Sequence, residues 1–171
     1  LAQFPEEDQI RTTLADIAVS NGQYYDALNL LADITPESNA YAESLLTAAD
    51  VYQTMGLPEV SEQKLLTALR LYPDEPVMQF ALDELYFEMG EYVKAANYYE
   101  TLIDQDVVEL GQVNIQKRLA TSYASSGAFE EALQIYEGLT PEFLTEDDQF
   151  QMGFLYLQIK DYQKAIEILT K

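Results

Sequence analysis

The chain has 171 residues, and its 48% hydrophobic and 12% aromatic content is enough apolar material to exclude a disordered acidic tail. Its 30 acidic and 9 basic residues give a formal charge of −21, which opposes binding to nucleic acid and to anionic membrane surfaces. Because the chain has no histidine or cysteine, it lacks the commonest general base, a thiolate nucleophile and the usual zinc ligands, so we predict neither enzyme activity nor a cofactor or metal site.

The first two predicted helices form a pair. The first begins at the acidic run Glu6-Glu7-Asp8, where negative charge favours a helix N-terminus, and it ends at Gly22. The spacing of its apolar residues is that of an amphipathic helix: Ile10, Leu14, Ile17 and Ala18. The second helix covers about 24–34 and stops before Pro36. Its predicted buried residues are Ala27, Leu28, Leu31 and Ile34.

Four more helix pairs are predicted in chain order. They cover 41–55 and 58–72, 76–89 and 91–104, 113–125 and 129–139, and 145–159 and 161–171. The run Thr145-Glu146-Asp147-Asp148 has the pattern of a capped helix start. The five repeats fall at about 8–39, 42–75, 76–109, 113–144 and 146–171, and we predict a single domain over 1–171. Because the chain starts at Leu1 and stops inside an apolar helical pattern, we expect a fragment of a longer protein.

A recurring turn joins the two helices of each pair. Gly22, Gly56, Gly90 and Gly127 mark this turn in the first four copies, and Lys160 takes the place of glycine in the fifth. Most copies have an aromatic residue two positions after the turn. A unit that returns after about 34 residues is typical of a helical solenoid, in which each pair hides its apolar side against its neighbours.

At other positions counted from the turn, the copies also carry residues of similar size or type. Five residues after it, every copy has a small side chain: Ala27, Ser61, Ala95, Ala132 and Ala165. Two helices approach to about 8–10 Å only if their closest crossing is occupied by a small residue. Seven residues before the turn stand Ala15, Ala49, Asp83, Ala120 and Gly153, so we expect Asp83 either to bond to a neighbouring helix or to face a gap. Four before it stand Ala18, Tyr52, Tyr86, Tyr123 and Tyr156, which we expect to fill the space between neighbouring pairs.

These positions resemble the tetratricopeptide repeat family from about Asp8 to Lys171, although the early tryptophan of that family is missing. The resemblance implies an all-α, right-handed superhelical solenoid of antiparallel helix pairs whose first helices line a concave groove. It further implies a scaffold that holds a protein or peptide, and it implies no catalytic residues.

The resemblance places groove residues at thirteen, ten, six, three and two positions before each turn. The candidate partner-binding residues are Asp16, Glu43, Asp50, Phe80, Glu84, Phe87, Glu88, Asn114, Lys117, Phe150 and Phe154. Carboxylates about 10 Å apart repel by only about 0.4 kcal/mol in water, whereas a cation about 4 Å from one of them gains about 1 kcal/mol. We therefore expect the groove to bind a basic segment with apolar side chains. The alternative is that the acids are ordinary solvated charges and the phenylalanines seal adjacent repeats.

Two alternative functions remain open at this stage. A peptide-sensing regulatory domain is one alternative, for which Asn114 is the one asparagine among the groove candidates. A self-assembly module, with a homodimer formed through exposed terminal helices at Ile166 and Leu169, is another. The lysine and asparagine clamp by which some members of the family bind a C-terminal carboxylate is missing from the groove positions, so we do not expect that ligand there. With no run of eighteen apolar residues we expect no membrane insertion and a cytoplasmic protein.

Overall fold

The computed structural model describes residues 5–170, and this part of the chain is all-α, as predicted. Its ten α-helices are α1 Pro5–Ser20, α2 Tyr24–Ala32, α3 Tyr41–Thr54, α4 Pro58–Leu71, α5 Pro76–Glu88, α6 Tyr92–Asp104, α7 Ile115–Ser126, α8 Phe129–Gly138, α9 Glu146–Gln158 and α10 Tyr162–Leu169. These bounds agree with the predicted ones to within about two residues. Lys171, where the last predicted helix ends, lies outside the described residues. None of the described helices is both long and apolar enough to cross a membrane.

The chain divides into two compact units, Leu1–Leu85 and Tyr86–Lys171, and the boundary lies inside α5. In the first unit α1 packs on α2 and α3 packs on α4, while α3 also contacts α1 and α2. Its main core cluster consists of Ala15, Ala18, Ala27, Leu31, Ile34, Ala40, Ala48 and Val51. Alanine forms most of this cluster, so the helix backbones approach closely.

The second unit stacks its helices in the same sequential way. Here α6 packs on α7, α7 on α8, α8 on α9 and α9 on α10. The core of its last two pairs consists of Ala120, Ala132, Leu133, Tyr136, Leu139, Met152, Leu155, Tyr156 and Ala165. Within this unit α7, α8 and α9 therefore each pack against both the helix before and the helix after, as a repeat array requires.

The turn of every pair places one residue in the left-handed region of backbone space. The φ angles are 74° at Gly22, 74° at Gly56, 75° at Gly90 and 89° at Gly127. Glycine adopts this conformation freely, because it has no Cβ to meet the neighbouring carbonyl. Lys160 has a φ of 64°, so the fifth pair keeps the same turn without glycine.

The small residues five positions after the turn are buried in every pair, as expected for positions where two helices approach closely. Their side chains are fully buried in all five copies: Ala27, Ser61, Ala95, Ala132 and Ala165. The Ser61 hydroxyl has no hydrogen-bond partner among the described residues. The predicted capping box at the start of α9 is also present, with Thr145 Oγ1 accepting from Asp148 N and Asp148 Oδ2 accepting from Thr145 N.

Two features of the fold differ from the sequence-based expectations. Of the four apolar residues of the predicted face of α1, Ala18 is buried, but Ile10, Leu14 and Ile17 are exposed, and Thr12 and Ala15 are buried in their place. Within the described residues no helix pair packs on the outer side of α1, so the helix buries the face that carries its small residues. The extra residues before α7 form a short antiparallel hairpin, Glu109–Leu110 with Val113–Asn114, where only a longer connection was expected.

Candidate functional site

An open pocket of about 390 Å³ lies between α1 and α3 in the first unit. We call it the acidic pocket, and its lining residues are Asp16, Val19, Ser20, Leu46, Thr47 and Asp50. Asp16 and Asp50 both stand six residues before a turn, on the first helices of successive repeats. The structure therefore brings together two of the predicted groove acids on one surface.

The two carboxylates of the acidic pocket are available to a ligand. Asp16 and Asp50 are exposed, and neither side chain forms a hydrogen bond or an ion pair with the part of the chain that the structure describes. Arg11, on the same helix as Asp16, is occupied elsewhere, because its Nη1 lies 2.9 Å from Asp33 Oδ2 and its guanidinium also approaches Glu7 and Asp8. The pocket thus presents two uncompensated negative charges beside the apolar side chains of Val19 and Leu46.

The second unit has a pocket of about 430 Å³ between α7, α8 and α9. We call it the aromatic pocket, and its lining residues are Thr121, Ala124, Ser125, Phe129, Tyr136, Asp147, Asp148, Gln151, Phe154 and Leu155. Phe154 is half exposed, so its ring is accessible from solvent. Burial raises the pKa of the Tyr136 hydroxyl, which a hydrogen bond with Thr121 partly offsets.

The two pockets are built from equivalent positions of the repeat. In each, the earlier first helix contributes the residues six, three and two before its turn: Asp16, Val19 and Ser20 in one, and Thr121, Ala124 and Ser125 in the other. The later first helix contributes the residues nine and six before its turn: Thr47 and Asp50 in one, and Gln151 and Phe154 in the other. The position nine before the turn was missed by the sequence analysis, and its signal was the polar side chain that both copies carry there.

Asn114 and Lys117 have structural roles in addition to their predicted place in the groove. Asn114 Oδ1 accepts from Lys117 N at 3.0 Å and so caps α7. Lys117 Nζ lies 2.5 Å from Asp148 Oδ2, the oxygen that also caps α9. Burial acts to raise the pKa of Asp148, but the hydrogen bonds from Lys117 and Thr145 outweigh it, so that the pKa is lowered. The ion pair with Asp148 occupies one of the few cations of the chain.

The other candidate residues lie outside both pockets or in intramolecular contacts. Glu43 accepts from Gln9 Nε2 at 3.1 Å, and Phe150 is exposed on α9. The Phe87 ring packs edge-on against Tyr92 with centres 5.4 Å apart, and the Arg118 guanidinium lies 4.4 Å from the same ring. Phe80 and Glu84 are half-buried and Glu88 is exposed on α5, and none of the three lines either pocket.

Asp83 is fully buried on α5, and neither of its carboxylate oxygens has a hydrogen-bond partner among the described residues. Burial, with a smaller contribution from the charge of Glu84, raises the pKa of Asp83 to about 9. The side chain is therefore a neutral acid at pH 7. Of the two expectations for Asp83, the bond to a neighbouring helix is not formed within the described part of the chain.

Tyrosines four residues before the turn connect successive pairs, as predicted. In the second unit the Tyr123 hydroxyl donates to Glu100 Oε1, and the Tyr156 hydroxyl donates to Glu137 Oε1 at 2.5 Å. The hydrogen bond to Glu100 is the main cause that raises the pKa of Tyr123 to about 12. Burial, followed by the bond to Glu137, raises the pKa of Tyr156 as well.

Comparison with known families identifies tetratricopeptide repeats along the chain. YpiA-like tetratricopeptide repeats match residues 53–107, and general tetratricopeptide repeat families match 84–143 and 149–171. Residues 1–55 match the ARM repeat of tetratricopeptide repeat protein 21.

Individual proteins show the same similarity. The chain is 40% identical over 167 residues to the TPR repeat-containing protein YpiA of Bacillus subtilis, covering 98% of this chain but 39% of that protein. It is 25% identical to human tetratricopeptide repeat protein 21A, covering 98% of this chain and 12% of that protein. The chain thus spans less than half the length of these relatives. Among solved structures, MamA from Desulfovibrio magneticus RS-1 superposes with a TM-score of 0.78 at 15% identity, over 96% of this chain and 92% of the other.

Proposed function

Because the chain belongs to the tetratricopeptide repeat family, we propose that it is a protein-interaction scaffold whose acidic pocket binds a basic segment of a partner protein. The observation that carries this proposal is the pair Asp16 and Asp50, which line one pocket and form no ion pair with any cation of the described residues. A lysine or arginine of the partner would place its charge near both carboxylates. Its aliphatic stem would pack against Val19 and Leu46.

The expected electrostatic gain is modest for each contact but adds over several. A cation within about 4 Å of one carboxylate gains about 1 kcal/mol in water, and a cation midway between two carboxylates about 10 Å apart gains about 0.8 kcal/mol from each of them. Salt weakens such exposed pairs, because the screening length at physiological ionic strength is about 8 Å. Binding of the partner should therefore decrease as the salt concentration rises.

The test is quantitative affinity capture from the lysate of the source organism at low and high salt. The wild type is compared with the double variant Asp16→Asn and Asp50→Asn, and captured proteins are quantified by mass spectrometry. We expect a basic protein that the wild type retains at low salt to be reduced about tenfold on the double variant, since about 1.4 kcal/mol corresponds to a factor of ten. The affinity of that protein, once purified, is then measured against both forms.

A matched control separates the pocket from the overall charge. Asp26 on α2 and Glu59 on α4 are exposed acids of the same unit that do not line the acidic pocket. The variant Asp26→Asn with Glu59→Gln removes the same two charges, and it should retain the partner. If both double variants lose binding equally, general charge attracts the partner, and the pocket has no specific role.

A second candidate function is association with another helix pair, and a particular observation favours it. The exposed residues Ile10, Leu14 and Ile17 on α1 correspond in the repeat to Ser44, Ala48 and Val51 on α3. In α3 these three residues are buried, and Ala48 and Val51 belong to the core cluster that includes α1 and α2 residues. The outer side of α1 is therefore shaped to receive a preceding pair, either from the same protein or from a second copy.

Sedimentation equilibrium over a range of concentrations tests this second candidate. The variant with Ile10, Leu14 and Ile17 each changed to Ser should sediment as a monomer at concentrations where the wild type self-associates. A wild type that is monomeric throughout would remove the homodimer from consideration. A variant that associates as strongly as the wild type would place the contact elsewhere.

A further inference from the structure

The hydrogen bond between tyrosine and glutamate in the second unit has fixed positions in the repeat. The tyrosine stands four residues before its turn, and the glutamate stands ten residues after the previous turn. In the second of the two copies, Lys164 Nζ lies 3.4 Å from the same Glu137 oxygen that Tyr156 contacts, and 5.0 Å from the centre of the Tyr156 ring. One carboxylate therefore serves a hydroxyl and an ammonium group at the same time.

The first unit has the tyrosine without the glutamate. Tyr52 on α3 occupies the tyrosine position, but the glutamate position ten residues after Gly22 is Ala32 on α2. The neighbouring helix α4 carries Lys64, one turn further along than Lys164 on α10. Neither Tyr52 nor Lys64 forms a side-chain hydrogen bond or an ion pair with any residue that the structure describes. The Tyr52 hydroxyl and the Lys64 ammonium group therefore lack the carboxylate that Glu137 provides in the second unit.

A pocket of about 350 Å³, partly open to solvent, lies at this place and is lined by residues of α2, α3, α4 and the segment that follows α2. We call it the Lys64 pocket, and its lining residues are Leu28, Leu31, Ala32, Ile34, Thr35, Pro36, Tyr41, Ser44, Leu45, Ala48, Tyr52 and Lys64. None of these is acidic, although the chain has 30 acidic residues. The corresponding cavity of the second unit, which includes Glu137, Tyr156 and Lys164, is smaller at about 230 Å³.

We propose that the Lys64 pocket binds an apolar carboxylate, whose charged end takes the place that Glu137 occupies in the second unit. The carboxylate would accept from the Tyr52 hydroxyl and from Lys64 Nζ, and the apolar part would lie among Leu28, Leu31 and Leu45. Charge-assisted hydrogen bonds of this kind are about twice as strong as neutral ones. The size and the apolar lining match those of small-molecule sites in general.

The pocket is separate from the acidic pocket in position and in charge. Its walls come from α2 and α4 as well as α3, whereas the acidic pocket lies between α1 and α3. A basic segment that binds Asp16 and Asp50 would find no acidic residue to pair with in the Lys64 pocket. The inference therefore goes beyond the proposed function, and either one can fail without the other.

The direct test uses octanoate as the probe, titrated into the protein and followed by two-dimensional NMR and calorimetry. We expect saturable binding with shifts confined to residues of α2, α3 and α4 that line the pocket. Octan-1-ol, which has the same chain length and no charge, should bind at least about tenfold more weakly, because the charge-assisted bonds are lost. Equal binding of octanoate and octan-1-ol would overturn the assignment of a carboxylate ligand.

Two variants locate the binding in the pocket. Lys64→Met keeps the apolar stem and removes the charge, and we expect it to weaken octanoate binding about tenfold. Arg70→Met removes an exposed charge from the same helix and should leave binding unchanged. Ala32→Glu supplies the missing carboxylate from the chain itself, so it should abolish octanoate binding and raise the midpoint of thermal unfolding.

A comparison of octanoate with a short peptide shows whether the carboxylate comes from a free acid or from a peptide terminus. Acetyl-Ala-Ala-Leu with a free carboxylate is compared with its amide. Preferential binding of the free acid would support the proposal and would identify a peptide C-terminus as the source of the carboxylate. Binding of octanoate but not of the peptide would support the proposal and would identify a free organic acid as the source of the carboxylate. Octanoate binding that is unchanged in both Lys64→Met and Ala32→Glu, or no saturable binding of either acid to the wild type, would overturn the proposal.

Discussion

The acidic pocket and the aromatic pocket are built from the same repeat positions, yet they offer different chemistry. Six residues before the turn, the first has Asp16 and Asp50 where the second has Thr121 and Phe154. The helix pairs beneath both pockets carry fully buried small residues five positions after the turn, Ala27 and Ser61 in one unit and Ala132 and Ala165 in the other, so these packing positions are filled in the same way. Outward positions face no neighbouring helix, and their side chains can change without altering the fold. The difference between the two pockets teaches that buried positions build the scaffold, whereas outward positions set the chemistry of each pocket.

The largest departure from the common repeat pattern is Asp83, which stands seven residues before its turn. The other copies have Ala15, Ala49, Ala120 and Gly153 at this position. We expect Asp83→Ala to raise the free energy of unfolding by about 2 kcal/mol at pH 7, since it removes a buried carboxyl group without a hydrogen-bond partner. The measurement is urea-induced unfolding followed by circular dichroism.

The pH dependence sharpens this first prediction. The pKa of Asp83 is about 9 in the folded protein against an ordinary value of 3.8, so the folded state holds a proton that the unfolded state has released. Wild-type stability should therefore fall as pH rises through that window, and the advantage of Asp83→Ala should grow. Asp83→Asn, which cannot ionise, should also remove the pH dependence. An advantage that is the same at every pH would show that Asp83 is ionised in the fold.

The second prediction concerns the crossing position at which Ser61 stands among alanines. Ser61→Ala removes a buried hydroxyl without a hydrogen-bond partner, and we expect the free energy of unfolding to rise by about 1.5 kcal/mol. The reverse change Ala132→Ser should lower it by a similar amount in the second unit. Thermal unfolding of the two variants measures both effects. A fall in Ser61→Ala, or a rise in Ala132→Ser, would contradict the prediction and would mean that the two crossings differ in their packing.

The third prediction makes the second unit resemble the first. Glu137→Ala removes the acceptor of Tyr156 and the ion-pair partner of Lys164, and it should lower the free energy of unfolding by about 1 kcal/mol. Gln134→Ala changes an exposed residue of the same helix and serves as the control. The spectroscopic pKa of the tyrosines should also change, since loss of Glu137 lowers the pKa of Tyr156. An unchanged titration would show that the bond is not formed in solution.

The smallest effect is expected at the turn of the fifth pair. Lys160 adopts a φ of 64°, which glycine adopts without steric cost at the other four turns. Lys160→Gly should therefore raise the free energy of unfolding by about 0.5 kcal/mol, part of the gain being offset by the greater freedom of glycine in the unfolded chain. Gly127→Ala should have the opposite effect at the fourth turn. Chemical unfolding of both variants provides the comparison.

Much of the fold was predictable because its signals are local. The turn residues, the capping box at Thr145 and the small residue five positions after the turn depend on neighbours within a few residues. The same counting placed Asp16 and Asp50 in register, and the structure brings them to one pocket. On the apolar face predicted for α1 only Ala18 is buried, whereas Ile10, Leu14 and Ile17 are exposed, because apolar spacing does not tell which element covers a helix face.

The sequence by itself determined the helices, their pairing and the register of the repeat, because these follow from short-range periodicity and from residue size. Only the tertiary structure decided which side chains are free. Lys117 is engaged by Asp148 and Glu137 by Tyr156, whereas Tyr52 and Lys64 face a cavity because Ala32 stands where a glutamate would reach them. Those outcomes depend on residues about twenty to thirty positions apart, whose proximity is created by the packing of one helix pair on the next.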